Sequence, residues 1–500
     1  MKIGKYILSL DQGTTSSRAV LFDALGGVAG MGQREFTQIY PKPGYVEHDA
    51  VEILQTQLYA MRQAVHEADI TAEDIAAISI TNQRETTVAW DAETGIPICN
   101  AIVWQCRRTA PECEWLKAQG LEEYIHRTTG LIIDPYFSGT KMKWILDNVP
   151  RAKALARQGR LRFGTIDTWL IFSLTEGRSF VTDVSNASRT MLFDIRKLDW
   201  DEKMLEVFGI PRDALPQVVP SSGVVGMCAE SVFGREIPIA GIAGDQHAAL
   251  FGQCCFARGM AKNTYGTGCF VLMNTGETPV FSDQGLITTI GWKIGDKVTY
   301  ALEGSAFNAG SAIKWLRDEL GLIESPQEAD RLAETVPDAG GAVFVPAFTG
   351  LGAPYWDMSA RGALLGVTRS TSKAHLCRAV LESIAYESLD LFRAMEAGSG
   401  VQISELRVDG GASRSRFLMQ YQADILHCAV RQPVCLETTA LGSAMLAGLA
   451  VGVWDSLEEL STIWKLGHAY APQIEPGEEE PALRRWHRAV ERSRNWANAE

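Results

Sequence analysis

The 500-residue sequence contains neither a GxxxxGK motif followed by Ser or Thr nor a GxGxxG. A P-loop and a dinucleotide-binding βαβ turn are therefore both unsupported. Its ten cysteines include no CxxC pair. Cys99, Cys106 and Cys113 fall seven apart without His or further Cys at ligand spacing, and Cys254 and Cys255 share an apolar run. Reduced thiols packed as small apolar residues are expected, with no structural zinc. Positive charge is short: the net charge of −13 argues against nucleic acid or an anionic membrane as the main partner. Apolar runs of bilayer length are missing too. The longest weakly polar stretch, Thr438 to Trp454, is broken by Gly and Ser. Asp11 and Gln12 interrupt the first apolar run, so no leader pattern opens the chain and a cytoplasmic location is the expectation.

What is present reads as an ordinary enzyme. The chain is 46% hydrophobic and 21% charged, and long enough for two or three domains with large cores. The organising stretch is Tyr6 to Asp23: an apolar run, an acid, Gly13 with Thr14, Thr15 and Ser16, then a second apolar run. This pattern predicts strand, tight turn, strand. Backbone N–H groups and hydroxyls around Gly13 can converge on a phosphate, and Arg18 adds a fixed positive charge. Asp11 would repel a polyphosphate unless a divalent cation stood between them, which suggests Mg²⁺ held largely through water.

Farther along, a helix is expected from about Glu52, with Leu54, Leu58, Met61 and Val65 on its buried face. Ile75 to Ile80 reads as a buried strand ending in Thr81-Asn82-Gln83-Arg84-Glu85. Polar residues at such a strand end are where ligands sit in open α/β sheets. Arg84 beside Glu85 fits a solvated ion pair and a polyol site equally well. Tyr136, beside a proline, reads locally as a packed aromatic. Ile237 to Gly244 leads into Asp245-Gln246-His247, where Asp245 is either a helix N-cap or a carboxylate offered to a substrate hydroxyl, and His247 reads as structural. Met260 to Met273 repeats the opening hairpin, with Gly266-Thr267 at the turn, and a third Gly-rich strand end is Asp409-Gly410-Gly411. Three such turns in this order suggest two related halves closing over one nucleotide. Helices are also expected from about His375, with Val380, Ile384, Leu391 and Met395 on one side, and near the end of the chain, with Leu483, Trp486 and Val490.

These motifs together resemble the FGGY carbohydrate kinases of the actin/hexokinase/Hsp70-like ATPase superfamily, in particular the members that act on glycerol. LDQGTTSSRAV, ITNQRETT, NAIVWQCRRT, NASRTMLFDI, GIAGDQHAALFGQ, KNTYGTGCF and LRVDGGAS carry the likeness, and YFSGTKMKWILDN and GALLGVTRSTSKAHLCRAVLE fit the two family signatures. The resemblance implies an α/β fold of two related actin-like ATPase (ribonuclease H-like) domains with an interdomain cleft, 1–252 on the glycerol and phosphate-loop side and 253–500 on the nucleotide side. It implies ATP-dependent phosphorylation of glycerol with Asp245 as catalytic base. Arg84, Glu85, Trp104, Tyr136, Asp245, Gln246 and Phe270 would hold the acceptor. Thr14, Thr15, Ser16, Arg18, Gly266, Thr267, Gly310, Lys314, Gly411 and Ser415 would hold the nucleotide, and Asp11 and Asp245 the Mg²⁺. A homodimer or homotetramer is expected on the same ground. Relatives carry Gln in place of Lys314 and Asn in place of Ser415, which leaves the adenine and ribose contacts open. No His lies between His126 and His247, so control through a phosphorylated His ahead of the catalytic Asp is not expected. A kinase for a larger sugar, or an ATP-dependent binding protein on the same core, are the competing readings.

Overall fold

The computed structural model describes residues 5–499, so residues 1–4 and 500 of the two expected domains lie outside the described residues. The first half is built on β1 (Tyr6–Gln12), β2 (Ser16–Asp23) and β3 (Val28–Glu35), followed by α1 (Ala50–Glu67), β4 (Ile75–Asn82), β5 (Ile237–Gly244) and α2 (Asp245–Gly252). β1 runs antiparallel to β2, and β2 antiparallel to β3; β1 runs parallel to β4, and β4 parallel to β5.

The second half repeats this arrangement strand for strand. It uses β6 (Met260–Tyr265), β7 (Cys269–Gly276), β8 (Lys297–Ala306), α3 (Lys373–Ser399), β9 (Glu405–Asp409), β10 (Val430–Pro433) and α4 (Thr438–Val451). β6 is antiparallel to β7 and β7 to β8, while β6 is parallel to β9 and β9 to β10. Both halves therefore read third, second, first, fourth, fifth across the sheet. They belong to one 13-stranded sheet, joined where the strands Ser222–Cys228 and Ile287–Ile294 meet at the single register pair Ser222 and Ile294. Two related α/β halves, expected from the paired Gly-Thr turns, are what the chain forms.

The near-continuous apolar run of β1 follows from its position, because it is covered on both faces. Leu8 and Leu10 share a core with Ile53, Ala60 and Met61 of α1. Ile7, on the other face, shares one with Ala440, Leu441 and Met445 of α4. Ser9 and Ser79 both meet the Ser443 hydroxyl, at 2.8 and 3.0 Å, so a helix from the second half is keyed to the sheet of the first.

Helix α1 starts earlier than its apolar pattern implies, because the Asp49 carboxylate accepts the N–H groups of Val51 and Glu52. Its buried face is also rotated from the expected one. Ile53, Thr56, Gln57, Ala60, Met61 and Ala64 are buried, whereas Leu54, Leu58 and Val65 only flank the core. The reason lies in the partner strand. A Cβ at Gly30 would sit 2.3 Å from the Ala64 carbonyl oxygen, and one at Gly32 would sit 2.1 Å from that of Ala60. Backbone packs on backbone there, so the helix turns its small residues inward and its leucines aside. The two later helices do bury the expected residues, among them Val380, Ile384, Leu391, Met395, Leu483, Trp486 and Val490. All ten cysteines are free thiols.

α2 and α4 cross where both carry glycine. A Cβ on Gly442 would lie 1.8 Å from the Ala248 carbonyl oxygen, and one on Gly252 would lie 2.0 Å from that of Thr438. Neither helix has a side chain to move out of the way. Gly442→Ala is expected to lower stability by about 1–3 kcal/mol, the cost of overpacking a close contact, read from the denaturant midpoint; an unchanged midpoint would show that the crossing can open without penalty.

Candidate active site

The polar residues that follow β4 and β5 meet at one place. β4 delivers Gln83, Arg84 and Glu85, and β5 ends where Asp245 opens α2. Gly244 makes that approach possible, since a Cβ there would lie 2.6 Å from Arg84 Cγ and 2.9 Å from His247 Nδ1. Arg84 Nε faces Asp245 Oδ1 at 3.2 Å and Glu85 Oε1 at 3.6 Å. Its Nη2 donates to the Tyr136 hydroxyl at 2.9 Å. The Tyr136 ring meets Trp104 edge to face, with centroids 5.5 Å apart, and the Trp104 indole N–H donates to Thr14 Oγ1 at 3.0 Å. Residues separated by more than 200 positions thus form one continuous set of contacts.

The loop carrying Tyr136 is fastened by Lys141, whose buried ammonium donates to the carbonyl oxygens of Pro135 at 2.8 Å and Phe137 at 3.0 Å, and to that of Tyr136. Asp245 sits at the head of α2 and receives the Gln246 N–H at 2.7 Å. Burial pushes its carboxyl up to about 6, against the pull of the neighbouring Arg84 guanidinium. About a third of its side chain (32%) stays exposed, unlike Arg84 at 2%. A carboxylate poised near neutrality beside guanidinium donors can accept a proton from a hydroxyl held between them.

Three charged residues here had no role assigned from sequence. Glu303, from β8, accepts Arg84 Nη1 at 2.5 Å and Nη2 at 3.0 Å, and also Arg189 Nη2 at 3.1 Å. Arg189 Nε donates to Glu85 Oε1 at 2.8 Å. Burial alone would raise the Glu303 carboxyl, but Arg189 and Arg84 outweigh it and bring it down to about 2. Lys262, from β6, donates to Gln246 Oε1 and, at 3.0 Å, to Thr264 Oγ1. Burial lowers its ammonium to about 8, with Asp409 and Asp245 opposing. For Glu303 the available signal was a lone carboxylate in the buried part of a strand, which is costly unless paired.

On the phosphate side, Gly13 N–H closes the first turn onto the Ser16 carbonyl at 3.1 Å, and Thr15 stands exposed at its tip. Ser16 Oγ accepts the Gln33 amide at 3.0 Å. Arg18 turns back from this loop. Its Nε donates to Asp11 Oδ2 at 3.1 Å, its Nη2 to the same oxygen, and its Nη1 pairs with Glu437 at 2.8 Å. In the second half, Gly310 N–H bonds Gly266 at 3.0 Å and Ala309 N–H bonds Thr267 at 2.7 Å, so the turn and the helix Gly310–Asp318 form one unit. Lys314 is exposed on that helix. Gly410, with φ of +86°, backs onto Tyr265, while nothing lies within 4 Å of a Cβ built on Gly411. Ser415 is committed locally: its hydroxyl donates to Asp330 at 2.6 Å and caps the helix Arg416–Leu426 by accepting the Leu418 N–H at 3.0 Å. Phe270 pairs opposite Thr264 and Ser305, on the sheet face that also carries Lys262 and Glu303.

Two matching halves with Gly-rich turns, and a carboxylate-guanidinium site between their strands, define a phosphotransferase of the actin-like ATPase architecture. The FGGY carbohydrate kinase N-terminal domain matches residues 6–252, and the C-terminal domain of the same family matches residues 261–451. Glycerol kinase 2 of Thermotoga maritima is 59% identical over 98% of this chain and 99% of its own length, and the glycerol kinase of Symbiobacterium thermophilum is 58% identical with the same coverage. The crystal structure of Plasmodium falciparum glycerol kinase with ADP superposes with a TM-score of 0.93, at 38% identity and 98% coverage of both chains. The chain belongs to the FGGY family of carbohydrate kinases.

Lys141→Met would take the ammonium from the carbonyl oxygens of Pro135, Tyr136 and Phe137, of which the last keeps the Thr140 hydroxyl at 3.3 Å. It is expected to cost about 2–4 kcal/mol of stability by denaturant unfolding, and a variant as stable as the parent would show that the Tyr136 loop does not depend on the ammonium.

Proposed function

We propose that this protein transfers the γ-phosphoryl group of ATP to glycerol, producing sn-glycerol 3-phosphate and ADP. The observation that carries the reading is that Arg84 bonds Tyr136 and faces Asp245, next to which Gln246 follows in the chain, with Trp104 against Tyr136. That set offers donors and acceptors to a small polyol and one partly exposed carboxylate to an attacking hydroxyl. The identity of the relatives supports glycerol over a larger sugar.

In the reaction, Arg84, Glu85, Tyr136 and Gln246 orient the triol, and Trp104 and Phe270 pack on its carbon skeleton. Asp245 accepts the proton of the hydroxyl whose oxygen bonds to the γ-phosphorus as the bond to the β-γ bridging oxygen breaks. Phosphoryl transfer needs little beyond positioning and charge stabilisation, so one base with fixed donors and Mg²⁺ would be chemically sufficient. The nucleotide phosphates lie against Thr14, Thr15, Ser16 and Arg18 on one side and Gly266 and Thr267 on the other, with Gly310, Lys314, Gly411 and Ser415 lining the nucleoside. Arg18 reaches them by exchanging its contact with Asp11.

The donor set suits Mg²⁺. Asp11 and Asp245 would supply hard carboxylate oxygens to an ion carried mainly by phosphate and water. When bound, the ion neutralises phosphate charge during transfer. In this reading residues 1–252 form the glycerol and phosphate-loop domain and residues 253–500 the nucleotide domain. A cytoplasmic homodimer or homotetramer belongs to the same reading, supported by the family likeness; among the described residues no helix is long and apolar enough to cross a membrane.

ADP release with Mg-ATP is to be compared for glycerol, xylulose, ribulose, glyceraldehyde, dihydroxyacetone and no acceptor. Glycerol alone should stimulate strongly; equal rates across the panel would leave only an ATPase core. Asp245→Asn should lower kcat by about 10²–10⁴-fold while the nucleotide still binds, and near-normal turnover would remove Asp245 from the role of base. A base must be deprotonated to act, so log kcat/KM for glycerol should fall below a midpoint near pH 6. A flat profile down to pH 4.5, well beyond that value, would contradict it.

A further inference from the structure

We propose that Glu303, contributed by the second half of the chain, is a positioning residue for the acceptor site, clamping Arg84 and Arg189 so that Arg84 presents a single edge to Asp245 and the acceptor. The inference rests on the reading that Arg84 binds the acceptor. It goes beyond that reading by assigning a role to a carboxylate whose two oxygens are both already taken by guanidinium groups of the protein.

A buried guanidinium left to itself pairs with the nearest carboxylate through two parallel hydrogen bonds. Asp245 and Glu85 are both near enough to be taken in this way. A bidentate pair with Asp245 would engage both oxygens of the carboxylate and compete with a hydroxyl for them. Glu303 takes that place instead, receiving Nη1 and Nη2 of Arg84 on its two oxygens. Only Nε is left toward Asp245, against Oδ1. The same carboxylate holds Arg189 Nη2, and Arg189 in turn fixes Glu85 through Oε1. One buried carboxylate thereby sets the geometry of both Arg84 and Glu85.

The charges fit this arrangement. Glu85, Asp245 and Glu303 stand against Arg84, Arg189 and Lys262, so loss of Glu303 leaves two guanidinium groups competing for the two carboxylates that remain. The clamp also spans the molecule: Arg84 and Arg189 come from the first half, and Glu303 lies 219 residues beyond Arg84 on β8. The acceptor-facing pose of Arg84 therefore depends on the two halves being held together.

The experiment compares the parent with Glu303→Gln and Glu303→Asp by steady-state kinetics, varying glycerol and ATP separately. Glu303→Gln removes the charge and turns a donor toward Arg84, and it should raise the KM for glycerol about tenfold or more while the KM for ATP stays within about twofold. Glu303→Asp keeps the charge and should recover part of the loss. A purely structural role would lower the melting temperature and shift both KM values together, or neither, and either pattern overturns the proposal. If Glu303→Gln does not fold, Glu303→Asp decides: an unchanged glycerol KM overturns the clamp and a selective rise supports it. The parent's turnover with glycerol tests the substrate reading separately. Should the parent prefer another acceptor of the panel, the same comparison is made with that acceptor, so that failure of one reading is not counted against the other.

Discussion

The pairing of Arg84 with Glu303 is the interaction on which the rest of the site depends. A guanidinium almost shut off from water loses several kcal/mol of hydration, and that loss must be offset by partners with good geometry. Arg84 has them in Glu303, Tyr136 and Asp245. Each partner arrives on a different element: a strand of the second half, a loop before a helix, and the head of α2. Satisfying one side chain therefore fixes the relative placement of parts that are far apart in sequence. The hydroxyl of Tyr136 and the carboxylate of Asp245 are where they are because Arg84 could not be buried otherwise.

The two halves share a strand order but not a chemistry. The first carries the groups that would touch an acceptor, on the ends of β4 and β5. The second answers with buried counter-charges, Glu303 and Lys262, which sit behind those groups and bond to Arg84 and Gln246. Two halves of one fold thus divide the labour, the first supplying most of the polar strand-end groups and the second the counter-charges that hold them.

The parts legible in sequence were those with local signals. Gly13-Thr14 and Gly266-Thr267 marked the two hairpins, and their repetition pointed to two related halves. Arg84, Glu85, Asp245 and Gln246 stood out because polar residues break an apolar strand at its end. Glu303, Arg189 and Lys262 were not assigned, because a single charge has no periodicity, and the partners of Glu303 and Arg189 lie more than a hundred residues away. The face of α1 was misread for a related reason: periodicity locates an apolar stripe, but Gly30 and Gly32 on a neighbouring strand decided that alanines, not leucines, would face it. Asp11 and Arg18 were each read toward a ligand, and the structure adds a contact between the two that neither local pattern announced. Sequence supplies the charges; it does not say which of several compatible partners they choose.

The glycine crossing of α2 and α4 bears on how such a protein can move. At Gly252 and Gly442 the helices touch backbone to backbone, with carbonyl oxygens where side chains would otherwise act as a cushion. The contact is made at two places, Ala248 against Gly442 and Thr438 against Gly252, so neither sliding nor swivelling is open to the pair without driving backbone into backbone. Since Asp245 opens one of these helices and Glu437 directly precedes the other, the carboxylate of the acceptor site and the partner of Arg18 are carried as one stiff piece.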